Sequence, residues 1–485
     1  MRAGSVPALL LFCFLFAAGC GMTRYKPEPL DPAAVQSSIR NKSIDDPGFQ
    51  SFVQVLAPGT GEAPGGAWGL NLLTLAAIYY SPRMQVAYEE FNLSRQELKT
   101  ASQLVNPKLT VPLEHHSDTS GDRSPWTVGA LIEFIYERQG KREARIARAR
   151  AHMEAAKIHV RETAWDLRTR LHSACLDYYR AQQQGKLAEN RLALLSQKLV
   201  VLQARNKLGE AGEAGVNRAD LEMQQARLAV ADAKARVSDF RHRLTSLTGL
   251  SPDEFGNIEF SFDTLKRLAE TGRISEADLR ESALLRRTDI TRALYEYKAV
   301  EQGLKLEIEK QYPDLDLSPG LIFDQGDMLW TLGTSWVLPL FHNNGGPIDE
   351  ALAQRKLMQA RFLDLQTNLL NTLHETLGRY EMLQSNRSVT GKIQQKLEKQ
   401  GRAIRNQYDL GYSNRLDMIN AELDLNAGRQ AVLSSNTQLI ETLMQLKDIV
   451  QKPLPGEIDM DKILEHRYPM DDMSDAGVAV NETAD

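Results

Sequence analysis

The sequence predicts a mainly α-helical chain carrying two β-hairpins, with one helix, hairpin, helix, turn, helix unit written twice. Three observations carry this expectation. First, Ala164, Leu167, Leu171, Ala174, Tyr178, Ala181, Gly185, Ala188, Leu192, Leu195, Leu199 and Leu202 alternate spacings of three and four without a miss. A seam of that period places the helix along partner helices rather than on a globular core. Second, short motifs recur in order. Trp126-Thr-Val-Gly129 returns as Trp330-Thr-Leu-Gly333, Asn217-Arg-Ala-Asp220 as Asn414-Arg-Leu-Asp417, and Met84, Ala87 and Pro107 line up with Ile290, Ala293 and Pro313. Ordered recurrence at a nearly constant offset is duplication. Third, the residues around each Trp-Thr motif alternate apolar and polar, which is the period of a strand with one apolar face.

Each element follows in turn. Met1 to Gly19 carries Arg2, an apolar run and small residues before Cys20. This predicts a secretory signal. Ala17-Ala18-Gly19-Cys20 resembles a bacterial lipoprotein box, although Ala17 stands where Leu is usual, and the resemblance implies acylation of Cys20. Residues 1–19 are therefore expected to be a lipoprotein signal peptide. Residues 20–70 are rich in Pro and Gly and read as a lipid-anchored tether with little helix or strand. The first repeat occupies residues 71–250. It has a helix from about Asn71 to Leu104, two alternating stretches, a helix from Arg142 to Leu208 of roughly 100 Å at ~1.5 Å per residue, a turn between Gly209 and Gly215, and a return helix from about Asn217 to Leu247. A linker spans 251–274. The second repeat occupies 275–452, with helices at about Ser275 to Lys310, Ile348 to Tyr408 and Asn414 to Val450, and a turn at Gly411. Residues 453–485 end in Asp471, Asp472, Asp475, Glu482 and Asp485, and read as an acidic disordered tail.

The alternating stretches are Leu109, Val111, Leu113; Trp126 to Tyr136; Leu315 to Phe323; and Met328 to Leu338, joined pairwise by short polar connections. Four strands of about ten residues match the length that crosses a bilayer when tilted. Four cannot close a barrel, so a transmembrane reading requires strands pooled from several chains. Trp126, Tyr136, Trp330 and Trp336 suit an interfacial girdle. Pro112 and Pro319 fall inside strands and weigh towards a small soluble sheet instead.

Composition excludes other classes. A net charge of −5 gives no reason to expect nucleic acid, and 42% hydrophobic residues excludes wholesale disorder. After the N-terminus no apolar run is long enough for a spanning helix. Cys13, Cys20 and Cys175 offer neither a disulfide pair nor a metal spacing. Enzyme motifs fail as well. His374-Glu375 lacks the second His of a zinc protease helix, Gly59-Thr-Gly61 has no phosphate-loop Lys, and His115, His116 and His342 stand at strand ends. No catalytic residue, metal site or cofactor is expected beyond an N-acyl diglyceride on Cys20.

Tyr25-Lys-Pro27, Gln311-Tyr-Pro313, Trp336-Val-Leu-Pro-Leu-Phe341 and Leu410-Gly-Tyr-Ser-Asn-Arg-Leu-Asp417, with the duplication, resemble the TolC family of outer-membrane efflux channels. The resemblance implies a homotrimer with a 12-stranded β-barrel in the outer membrane of a Gram-negative bacterium, surrounded by outer-membrane lipid. An α-helical barrel continues into the periplasm, where the partners would be a periplasmic adaptor and an inner-membrane pump. It also implies a periplasmic constriction, for which Asp417 is the motif-matched acid, Asn420 stands where a second aspartate is usual, and Asp220 is the equivalent in the first unit. A helix-start cap explains either aspartate equally well. The tips at Gly209, Gly212, Gly215, Gly411 and Tyr412 would contact the adaptor, and the first tip is three residues longer. Glu137-Arg-Gln-Gly140-Lys141-Arg142-Glu143-Ala-Arg145 resembles the CzcC-like heavy-metal branch, although Lys141, Arg142, Arg145 and Arg148 could equally be a solvated face or a collar at lipid headgroups. The function these readings imply is an exit duct for heavy-metal cations. Drug export, type I protein secretion and a lipid-tethered periplasmic scaffold are the alternatives.

Overall fold

The structure, a computed structural model, describes residues 23–57, 66–117, 123–137, 139–268, 287–454 and 456–470. It divides into two units, Met1–Lys42 and Ser43–Asp485. In the first, α1 (Pro32–Arg40) opens with an Asp31 side chain accepting from the Ala33 amide and with proline at its first position, and it buries none of its residues. Cys20, expected to be acylated, lies outside the described residues.

The second unit begins with the same device. Asp46 caps α2 (Pro47–Leu56), whose Phe49, Phe52 and Val53 are buried. The expectation of an unstructured tether is corrected here: Asp-Pro pairs that look like loop punctuation are helix starts, because the aspartate accepts a free amide and proline occupies a position where no N–H is needed. The next helix is buried on nearly all sides as α3 (Leu70–Tyr80) and resumes as α4 (Pro82–Ser102). One helix was expected across both. Pro82 forces Ser81 into extended backbone at φ −69°, ψ 121°, and so breaks it.

Strands β1 (Lys108–Thr110), β2 (Leu113–His115) and β3 (Trp126–Tyr136) follow, then α5 (Gln139–Lys207) and α6 (Glu213–Thr248). The linker holds α7 (Pro252–Gly256) and α8 (Asp263–Leu268), and Trp68 bridges in parallel to Phe260. The second repeat is α9 (Thr288–Glu309), β4 (Leu315–Asp324), β5 (Asp327–Ser335), α10 (Gly345–Asp409) and α11 (Arg415–Ile449). The start expected at Ser275 for α9 falls on residues that are not described.

The helices form one layer. Going across it away from the sheet, α6 packs on α5, α5 on α11 and α11 on α10; nearer the sheet the order is α4, α5, α9, α10. Two helices run the whole way and two positions are shared by stacked pairs. The α9/α11 joint is capped reciprocally: Arg287 donates to the Ile449 carbonyl at 2.8 Å, and the Gln451 side chain accepts from the Thr288 amide at 2.8 Å. At the other joint Gly249, at φ +71°, ends α6 against the Tyr80 carbonyl, where a Cβ would lie 3.0 Å from that oxygen.

The expected heptad seam is buried from Ala164 to Ala181 and again at Leu195 and Leu199. At its thin middle a Cβ on Gly185 would come within 3.9 Å of Ala233. The C-terminal expectation needs correction. Residues 456–470 carry α12 (Met460–Arg467), and Leu454, Met460, Ile463, Leu464 and Tyr468 join the main core. Apolar residues at helical spacing, not the acids that follow, decide this stretch; Asp471 onward lies outside the described residues.

Candidate functional site

The sheet is an open ribbon with strands in chain order: β1 and β2 on β3, β3 on β4, β4 on β5, all antiparallel. Register places Leu113, Val128, Phe323 and Met328 in one cross-strand row and Ala130, Leu321 and Trp330 in another, so these side chains share a face. That face is open to solvent, with Trp330 84% and Leu332 70% exposed. The opposite face carries Glu114, Thr127, Asp324 and Asp327 in one row and is mixed elsewhere, with Gly320, Thr331, Ser318, Gly333, Asp316 and Ser335 beside the apolar Leu131, Ile135, Ile322 and Leu329. There the Thr127 hydroxyl donates to Asp324 at 2.5 Å and stands 3.0 Å from His116 Nε2. One apolar face and one carrying the charged and small residues is the arrangement of a barrel wall around an aqueous lumen.

Both prolines leave their mark on the ladder. Between β1 and β2 the Pro112 ring lies over Gly129, where a Cβ would meet it at 2.9 Å, and the Gly129 amide donates to the Pro112 carbonyl at 3.0 Å. The first strand is thus split in two. Pro319 stays within β4 opposite Leu332, while pairing with β3 lapses between Gly320 and Leu317. A ring that lacks an N–H can face only one neighbour.

At the far end of the layer the two turns share one geometry. Gly209 (φ +77°) and Gly411 (φ +81°) each end a long helix in the left-handed region. The Gly209 amide reaches Asn206 and that of Glu210 reaches Arg205; Gly411 and Tyr412 reach Tyr408 and Gln407 in the same way. This is the Schellman stop, and it requires glycine at both tips. Leu410 and Tyr412 are exposed beside it. The turns then diverge. Asp417 closes a capping box: Asn414 Oδ1 accepts from the Leu416 and Asp417 amides, and Asp417 accepts from the Asn414 amide at 3.3 Å and from Ser413 at 3.1 Å. Asp220 has no such role, because α6 starts at Glu213, ahead of the motif-matched Asn217, with Gly212 as its cap and Gly215 inside the helix. The extra residues of the first turn extend the helix backwards, leaving Asp220 exposed, with Gln224 at 3.4 Å. Asn420 is exposed one turn after Asp417.

Of the basic segment after β3, Arg148 is exposed, while Lys141, Arg142 and Arg145 form neither a solvated face nor a collar. Arg142 donates to the Ser102 carbonyl at 2.8 Å and Arg145 to that of Ala101 at 3.0 Å, so both cap the end of α4. Arg145 also forks onto Glu137, and the buried Lys141 meets Asp314 at 2.7 Å. The motif is the joint between ribbon and layer.

One constellation was not anticipated from the sequence. Arg168, 4% exposed, donates to Asp448 at 2.9 Å and to Glu457, lies over Trp165 at 4.5 Å, and adjoins the buried His172, which is 3.2 Å from Glu457. Burial pushes the Asp448 carboxyl up to about 6 against the pull of Arg168, while burial and Arg168 together hold His172 well below the usual imidazole range. The cluster ties α5 of the first repeat to α11 of the second and to the C-terminal segment. A charge beside an apolar seam was its one sequence signal. Among the described residues no group of three or more His, Cys, Asp or Glu could hold a metal ion, and no helix is long and apolar enough to cross a membrane.

Comparison with known proteins agrees with this geometry. Residues 279–450 match the outer membrane efflux protein family. The cobalt-zinc-cadmium resistance protein CzcC of Cupriavidus metallidurans is 24% identical over 352 residues, which is 71% of this chain and 81% of that protein. The fold is that of the outer membrane protein VceC of Vibrio cholerae (TM-score 0.64, 18% identity, 79% of this chain and 96% of that one) and of the CmeC outer membrane channel of Campylobacter jejuni (TM-score 0.65, 13% identity, 93% and 99%). With this duplication and this ribbon, residues 279–450 carry the outer membrane efflux protein domain, and the chain as a whole is similar in sequence and fold to outer-membrane efflux channels of the TolC type.

Proposed function

We propose that the protein is the passive exit duct of a tripartite efflux system, assembled as a trimer whose twelve strands form one barrel and whose helices form one tunnel. One observation carries the reading: ribbon and helical layer both end in unpaired edges, and on the same two sides. In the ribbon these are β1/β2 and β5; in the layer they are α4 with α6, and α10. The free helical sides bear exposed apolar residues, Val86 and Leu93 on α4, Leu221 and Leu228 on α6, and Leu357, Leu363, Met382 and Val389 on α10. Joining β5 and α10 of one copy to β1 and the α4/α6 side of the next satisfies both at once, and closure removes every edge. Four strands per copy reach the even, closed count a membrane barrel needs at three copies.

Such a duct has no reaction to catalyse; its selectivity lies in the charge and width of its narrowest ring. The cargo is a heavy-metal cation, a reading supported by the similarity to a cobalt-zinc-cadmium resistance protein and by the resemblance of the segment from Glu137 to Arg145 to that branch. A periplasmic adaptor docks at the tips beside Gly209 and Gly411, an inner-membrane pump supplies the cargo, and acylated Cys20 anchors the chain to the outer membrane.

The test is direct. The lipid-modified protein, purified from membranes, should run as a trimer in native mass spectrometry and conduct ions in planar bilayers. Deleting its gene should sensitise the host to cobalt, zinc or cadmium more than to dyes. A monomer that passes no current would overturn the duct, and unchanged metal tolerance with lost dye tolerance would overturn the cargo.

A further inference from the structure

Beyond β5 the chain runs through Trp336-Val-Leu-Pro-Leu-Phe341 without regular structure, and its apolar side chains meet solvent: Val337 and Leu340 are 77% and Phe341 99% exposed. The segment arches over a cleft of about 430 Å³ whose other wall is Lys141, Lys310, Gln311, Pro313 and Asp314. An apolar lip over a floor of lysines each paired with a carboxylate, Lys310 with Glu307 and Lys141 with Asp314, is matched by an amphiphile whose charged head carries a phosphate for the open side of Lys310. The lip is also continuous with the apolar face of the ribbon, since Met328, Trp330 and Leu332 lead along β5 to Trp336.

A second copy of the chain is the competing occupant, and the backbone argues against it. Pro339 offers no N–H, and the Leu340 amide is turned back onto the Leu338 carbonyl at 2.9 Å, so the β5 edge cannot continue pairing here. Val337 and Leu338, and again Leu340 and Phe341, are adjacent residues that are all exposed, which suits a fluid surrounding the segment better than one strand along one side. Tryptophan at the end of an apolar strand belongs at the headgroup level of a bilayer. Lys310 reaches Glu307 at 2.7 Å yet keeps about half of its side chain open, and Lys141 backs it from inside.

We propose that this cleft binds a glycerophospholipid of the periplasmic leaflet, with the phosphate at Lys310 and the acyl chains running along Val337, Leu338, Leu340 and Phe341 onto the ribbon. The inference rests on the reading that the ribbon spans the outer membrane, and the test separates the two. The full-length protein is placed in nanodiscs of phosphatidylethanolamine and phosphatidylglycerol brominated either near the carbonyl or at mid-chain. The tryptophan emission lost in Trp336→Phe, and separately in Trp330→Phe, isolates each residue's quenching. Carbonyl-proximal bromine should quench Trp336 and mid-chain bromine Trp330. In native mass spectra, Lys310→Glu should lower retained phospholipid about tenfold, and Lys310→Arg should restore it. Quenching of Trp330 without Trp336, or retention unchanged by Lys310→Glu, overturns the lipid site and leaves the spanning ribbon standing. Absence of quenching at both removes the spanning reading, and the site with it.

Discussion

The two hairpins that end the helical layer come from one duplicated ancestor, yet they are held by different means. In α5–α6 the tip has its own core: Leu195, Leu199, Ala219, Met223 and Ala226 are buried together. In α10–α11 the last buried residue of α10 is Leu383; near the tip α11 buries only Ile419 and Ala421, its middle buries Asn426, Gly428, Ser435 and Thr437, and its larger apolar residues, from Leu439 to Ile449, lie at the end away from the tip. Leucines bury area and resist separation, whereas small and polar residues pack closely but contribute little by transfer from water. The second hairpin instead hangs on particular ties: Asn426 donates to the Leu187 carbonyl at 3.1 Å, Arg405 pairs with Glu422 at 2.8 Å, and Asp448 is held by Arg168. Duplication supplied two hairpins, and side-chain choice gave the first a clustered apolar core at its tip and left the second tip with a sparser one.

The largest effect should come from the tie that joins the halves. Arg168→Met leaves Asp448 and Glu457 buried without their cation, at a cost of roughly 3–5 kcal/mol. Hydrogen exchange should rise along 415–449 and in the C-terminal segment while 192–226 stays protected. Equal loosening of both hairpins would refute the asymmetry.

Next comes one substitution made in both places. Leu195→Ala hollows the first tip and should cost about 2–4 kcal/mol. Leu397→Ala in the second removes a half-buried side chain that lies against Gly428, and should cost about 1 kcal/mol or less. Melting temperatures of the two variants in the same detergent give the comparison. Similar shifts would mean that the second tip is as well packed as the first.

Much of this architecture was legible because period and repetition report long elements directly: the seam placed α5, the repeated Trp-Thr motif placed β3 and β5, and Gly411 marked its turn. The misses share one physical origin, in that a local cue was read without its tertiary context. Pro32 and Pro47 looked like loop residues until a preceding aspartate made them helix starts. Pro82 broke a helix whose periodicity ran on through it. The acids after Met470 overshadowed the apolar spacing of Ile463, Leu464 and Tyr468. Arg168 could not be paired from the sequence, because Asp448 and Glu457 are far from it along the chain. Asp417 is a helix cap in the structure, and only a change of charge can test a role at the constriction.

That test also probes the second tip. Asp417→Ala removes one half of the capping box and should cost about 1 kcal/mol. Asp417→Asn keeps an acceptor for the Asn414 amide while removing the charge, so its melting temperature should stay near wild type. A shifted reversal potential under a salt gradient in Asp417→Asn would place the carboxylate on the ion path, and an unshifted one would leave it a cap. Asp220→Asn, with no cap to lose, is the matched control from the first tip.

The smallest effect concerns the tie between α5 and the first turns of α9, at the end of α9 away from the ribbon. Glu162 accepts from Arg292 at 2.7 Å and lies 3.3 Å from His159 Nδ1, with Glu90 of α4 3.8 Å from the same imidazole's Nε2 and Glu296 on the far side of Arg292. The hydrogen bond to Glu162 raises the pKa of His159, while partial burial and Arg292 oppose it. A folded-state pKa above the unfolded one means that the protonated imidazole is favoured by folding. Its contribution is therefore complete below the unfolded value of about 6.5 and fades as pH rises through the folded value. The ring is nearly half exposed, so screening keeps the effect slight. His159→Gln should accordingly melt somewhat below wild type at pH 5.5 and together with it at pH 8.5. A gap that instead widened towards alkaline pH would show that the imidazole works here as a neutral acceptor, and that this contact between the repeats is no charge tie at all.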